Sequence, residues 1–100
     1  MRIFAALAAA AFMVVPVYAA DHTVTIKDMK FAPAALTVAV GDTVTFVNDD
    51  KVPHTATAQG AFDTGTIEPG KGAKVTFSAP GNFAYVCAIH PAMKGAIKVQ

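Results

Sequence analysis

Cys87, His90 and Met93 sit at equal three-residue intervals in the stretch CAIHPAM, and Cys87 is the only cysteine of the chain. A thiolate, an imidazole and a thioether on one short segment make a set of soft donors. Two imidazoles and a thiolate in a plane, with a weak and long axial thioether, is the arrangement used for electron-transfer copper. The segment lacks only the second imidazole. Two other histidines are present, His22 and His54. His54 fits better, because it lies in a loop that follows a core strand and can share one end of the fold with Cys87. The long gap in sequence is then useful: a rigid scaffold, and not one pliable loop, sets the geometry.

Other chemistries suit these residues less well. Zinc takes nitrogen, thiolate and carboxylate donors, and thioether is not among its usual protein ligands. A Cys–His nucleophile needs an orienting third group and room for a substrate. An inward-pointing Cys beside a Met, in so short a chain, offers little of either. A buried Cys alone is most often a small hydrophobe. The His and Met at loop spacing make ligation the stronger reading.

The elements that must carry these residues read as short alternating runs between turns, the pattern of an all-β sandwich. His22 to Ile26 forms a first strand, with Val24 and Ile26 on one face. MKFAPAAL reads as a proline-containing bend. Leu36, Val38 and Val40 alternate along a second strand closed by Gly41-Asp42. Thr43 to Asn48 places Val44, Phe46 and Asn48 on one inward side, so the Asn48 amide needs buried partners. Ala73 to Ser78, Asn82 to Cys87 and Ala96 to Val99 supply further strands. Phe83, Tyr85 and Cys87 share a face because side chains alternate along a strand. Cys87 therefore points inward where the core gives way to loops. Pro91 stiffens the loop that follows, since its φ is fixed.

The chain of 100 residues begins with Arg2, a long apolar run and small residues before Asp21. That order reads as a secretory signal peptide over residues 1–20, cut after Ala19 or Ala20, ahead of one domain over 21–100. The rival reading is an uncleaved membrane anchor, against which Pro16 and the small-residue end count. Once Arg2 is removed, the eight basic residues fall to seven against seven acids. Such a balance gives no electrostatic footprint for nucleic acid. A domain of about 80 residues has a marginal core that gains from a staple. A single Cys excludes an internal disulfide, which leaves a metal as the natural one.

Beyond these residues, GDTVTFVN, VPH, PGNFAYVC and HPAMKGAIKV occur in an order that resembles the cupredoxins, the small blue-copper electron carriers. The short Cys-x₂-His-x₂-Met loop is similar to that of the amicyanins; plastocyanins and pseudoazurins carry longer ones. The resemblance spans Thr23 to Val99. It implies a Greek-key β-sandwich holding one type 1 copper on His54, Cys87, His90 and Met93. His54 would be buried, and the ring edge of His90 would reach the surface as the electron port. It further implies that Asn48 hydrogen-bonds across the ligand loops. Ala92 departs from the family, where a larger apolar residue is common beside the exposed histidine. Val52-Pro53, Pro91-Ala92 and Met29 would form a smaller apolar rim. The resulting expectation is a monomeric periplasmic carrier of single electrons, not an enzyme, docking transiently on redox partner proteins around His90. The alternative is a periplasmic copper carrier or buffer. His22 is expected to be a surface residue at a strand end. If cleavage follows Ala19, it could chelate a stray Cu(II) through the new amine and its imidazole.

Overall fold

A computed structural model describes residues 18–100; the greater part of the expected signal peptide, residues 1–17, lies outside the described residues. The described chain is all-β. Its strands are β1 (Asp21–Lys27), β2 (Lys30–Ala32), β3 (Ala35–Val38), β4 (Thr43–Asn48), β5 (Thr57–Ala58), β6 (Phe62–Asp63), β7 (Gly72–Thr76), β8 (Gly81–Val86) and β9 (Lys94–Val99). They form two sheets, in the orders β2-β1-β4-β7 and β3-β9-β8-β5-β6. β1 runs parallel to β4 and β3 parallel to β9, whereas the other pairs are antiparallel. Parallel neighbours need a crossover. Here the chain crosses from one sheet to the other and back, as a Greek-key sandwich requires.

Alternation of apolar and polar residues sets which side of each strand faces inward. In β4 the even-numbered Val44, Phe46 and Asn48 are wholly buried, and their odd-numbered neighbours are half-exposed. Val24 and Ile26 of β1 meet them from the same sheet, and Tyr85 and Ile97 come from the opposite one. Tyr85 is the hub. Its ring meets the edges of Phe31 and Phe46 at centroid separations of 4.7 and 5.4 Å, distances at which such pairs attract. The same ring lies across Gly95, its cross-strand partner, where an added Cβ would come within 2.3 Å of Tyr85 Cζ. Only glycine fits beneath it.

Three expectations need correction. The proline-containing bend holds a short strand, β2, which hairpins onto β1. The second strand ends at Val38, and Val40 is exposed because the chain has already begun the turn at Gly41, whose φ is +95°. Two-residue strands β5 and β6 extend the second sheet where no alternation is long enough to be read. For the site, what matters is that β4 and β8 lie in opposite sheets while the segments that follow them bring His54 and Cys87 together. The loop carrying His54 and the loop carrying Cys87 therefore emerge at the same end of the sandwich.

Candidate metal centre

Cys87 directly follows β8 and is fully buried, as the alternation with Phe83 and Tyr85 requires. The chain then folds back on itself. The Met93 N–H donates to the His90 carbonyl at 2.9 Å, and the Cys87 N–H donates to the Met93 carbonyl at 3.1 Å. These two bonds close the CAIHPAM segment into a tight loop. His90 is left half-buried at its crown, and Met93 is packed at 5% exposure within the core cluster. His54 arrives from the other sheet. It is fully buried and held by a reciprocal pair of backbone bonds with Ile67, of 3.2 and 2.7 Å.

The donors converge. Cys87 Sγ lies 3.7 Å from His54 Nδ1 and 3.6 Å from His90 Nδ1. One donor atom from each of the three residues lies within 4.8 Å of the others. A first-row ion with bonds of about 2.0–2.1 Å to imidazole nitrogen and about 2.3 Å to thiolate, meeting at trigonal or tetrahedral angles, separates N and S by roughly 3.6–3.8 Å. The observed separations fall in that range, so the trio is spaced to share one ion. Both rings turn Nδ1 toward the sulfur, which leaves Nε2 of each for other partners. Met93 lies buried at the other end of the same closed loop, and a thioether beside thiolate and imidazole would suit copper better than zinc.

The electrostatics favour a thiolate. Burial pushes the Cys87 thiol up. Opposing it, the Thr55 N–H, the His54 and His90 rings and the His90 backbone N–H together bring it down to about 6. The Thr55 N–H donates to Cys87 Sγ at 3.3 Å, and the Ala88 N–H donates to Thr55 Oγ1 at 2.8 Å. Thr55 is thus the residue that ties the two ligand loops together. That task was expected of Asn48, and the structure divides it. Asn48 Nδ2 donates to the carbonyls of Val52 and Ile67 at 2.9 and 2.8 Å, and its Oδ1 accepts the Asp50 N–H at 2.9 Å. Asn48 therefore shapes the loop leading to His54, whereas Thr55 reaches across to Cys87.

Asp50 was not singled out from the sequence. Its Oδ2 lies 2.8 Å from His54 Nε2, on the far side of the ring from the sulfur. The NDD run offered only an ordinary polar loop, and the role of Asp50 depends on where that loop lies in space. His22 does not join the cluster. Its ring is half-buried, not a free surface group, and lies 2.9 Å from Asp42 Oδ2, while the Ala20 N–H donates to Asp42 Oδ1. With Asp21 and His22 paired in the β1–β4 ladder, the backbone there is committed to the sheet and poorly placed to chelate an ion.

Met29, Val52 and Ile89 are exposed apolar residues, at 43, 40 and 46% exposure. Ile89, next to His90 in the chain, was not part of the expected rim. Met29 shares one shallow depression with Val52 and another with Ala92 and Met93.

Comparison with known proteins agrees with this geometry. A family model described as a cupredoxin-like domain matches residues 3–99. Amicyanin-alpha of Methylorubrum extorquens is 32% identical over 103 aligned positions, covering 96% of this chain and 87% of that protein. Among solved structures, a reduced amicyanin variant superposes with a TM-score of 0.73 at 31% identity, covering 78% of this chain and 80% of that one. A copper-containing nitrite reductase from Thermus scotoductus superposes at a TM-score of 0.75 and 32% identity, over 94% of this chain but only 25% of the enzyme. On the family model, the relatives and the fold together, the chain belongs to the cupredoxin-like family.

Proposed function

We propose that the protein is a blue-copper carrier of single electrons, in which His54, Cys87, His90 and Met93 would hold the ion. The observation that carries this reading is the convergence of His54 Nδ1, Cys87 Sγ and His90 Nδ1 at metal-ligand spacing. Copper bound there supplies a one-electron couple, and the protein's contribution is to hold the donors still. The ladder bonds of His54 to Ile67, the Thr55 bridge and the closed Cys87–Met93 loop each restrain a ligand without help from the ion. A site so restrained changes little between oxidation states, which keeps reorganisation small. His90, half-buried on the loop that also exposes Ile89, offers the exit. Docking there would be a small and transient interface with a redox partner.

The further reading is that residues 1–20 are removed on export, that the domain over 21–100 works in the periplasm, and that it does so as a monomer. The apolar run and small-residue end before Asp21 support it. N-terminal sequencing and sedimentation of the exported protein test both parts. The competing reading is a copper carrier that delivers the ion. Challenge of the Cu(I) protein with a competing chelator separates the two. Retention of copper through repeated redox cycles fits the electron carrier, and prompt loss to the chelator contradicts it.

A further inference from the structure

The hairpin joining β1 to β2 pairs Lys27 with Lys30, so its loop has two residues, Asp28 and Met29. Both are left-handed, with φ of +52° and +60°. Loops of this kind need positive φ at both positions and favour Asn-Gly. Asp tolerates the conformation, but methionine is poorly suited to it. Something must hold the turn, and a single carboxylate does. Asp50 Oδ1 accepts the Asp28 N–H at 2.7 Å, and Oδ2 accepts the Met29 N–H at 3.0 Å. The same Oδ2 is the atom 2.8 Å from His54 Nε2. The Asp50 side chain is 13% exposed, and its own backbone is fixed by Asn48 Oδ1.

We propose that Asp50 is a positioning residue that joins the Asp28–Met29 turn to His54, fixing the ring for ligation and tuning the balance between the two copper oxidation states. The inference rests on the copper reading given above. For Nδ1 to offer its lone pair to an ion shared with Cys87, the ring proton must sit on Nε2, where it is donated to Asp50. A carboxylate on the outer nitrogen of a metal-bound imidazole orients the ring and raises its basicity. The extra electron density favours the more highly charged ion, Cu(II), over Cu(I). The Asp28 and Met29 N–H groups and the His54 ring thus converge on one carboxylate. In return the carboxylate holds Met29 in its left-handed form.

The test separates a tuning role from a mere turn clamp. Asp50→Asn keeps the shape but removes the charge, and Met29→Gly gives the turn a residue that adopts positive φ unaided. In Asp50→Asn the ratio of Cu(II) to Cu(I) affinity is expected to fall about tenfold, equivalent to a rise of about 59 mV in the midpoint potential. Exchange of the Asp28 and Met29 amides should quicken in the copper-free protein. In the double variant Asp50→Asn/Met29→Gly, thermal stability should largely recover while the potential shift persists. A ratio within twofold of the wild type in Asp50→Asn, or a shift that vanishes in the double variant, would overturn the proposal. Failure of the wild-type protein to bind copper through Cys87 would show before any variant is made; it would overturn the copper reading and this inference with it.

Discussion

At the scale of single residues, the site depends as much on groups that never touch an ion as on the four donors. Asn48 is the clearest case. Its amide is fully buried and makes two hydrogen bonds to the loop that delivers His54 and a third to Ile67, the backbone partner of His54. Asn48→Ala strands the Val52 carbonyl and the Asp50 N–H and leaves the Ile67 carbonyl with the His54 N–H alone. The expected cost is about 2–4 kcal/mol, measured by urea unfolding of the copper-free protein. A loss below about 0.5 kcal/mol, the level of an unremarkable surface change, would mean the loop holds its shape without the amide. The burial of Asn48 was legible in the sequence because it shares a face with Val44 and Phe46. Thr55 and Asp50 were not legible. A threonine after a histidine and an aspartate in a polar run carry no periodic signal, and their roles arise only where separate loops meet.

At the scale of elements, the longer strands could be read and the short ones could not. β1, β4 and β8 each run long enough for alternation to declare an inward face. β2, β5 and β6 have two or three residues, too few for any period, and exist because their neighbours offer a ladder edge. The β8–β9 pair carries a packing constraint of its own. Tyr85 is buried over Gly95, and its hydroxyl finds no hydrogen-bond partner among the described residues. Removing an unpaired buried hydroxyl is nearly neutral, so Tyr85→Phe should change unfolding free energy by less than about 1 kcal/mol, with gain as acceptable as loss. Gly95→Ala drives a methyl into the ring and should cost about 2–3 kcal/mol or more. Equal effects of the two substitutions would refute this packing account.

The start of β1 is secured differently. In the chain that retains Ala20, Asp42 accepts the Ala20 N–H, the His22 ring and the Ala39 N–H, in that order of effect, which lowers its carboxyl from 3.8 to about 2. A group with a depressed folded value stabilises the fold above its unfolded value and loses that contribution as pH falls through the folded one. The clamp is therefore complete above about pH 4 and fades toward pH 2. An Asp42→Asn variant should unfold more readily at neutral pH and show a flatter decline over that acid window. A decline of unchanged steepness would assign the acid sensitivity to other carboxylates.

At the scale of the whole molecule, a small sandwich without a disulfide has its functional ligands built into the seam between its two sheets. An ion that binds His54, Cys87 and His90 joins the β4–β5 connection to the loop after β8 and stabilises only the folded state. Linkage then predicts about 4 kcal/mol of added stability when free copper stands a thousandfold above its dissociation constant. Thermal unfolding with and without metal would show this as a large upward shift that Cys87→Ser abolishes. The ligand set was the most legible part of the molecule, because one cysteine, one histidine and one methionine on a short loop have few other uses. The central claim is that Cys87 binds copper as a thiolate in that seam. The most direct measurement is the visible and EPR spectrum of residues 21–100 with one equivalent of Cu(II), beside the Cys87→Ser variant. An intense blue band with narrow copper hyperfine splitting, absent from the variant, is the expected result. A pale spectrum of ordinary Cu(II), unchanged by the substitution, would contradict the account and remove the basis for electron transfer through this loop.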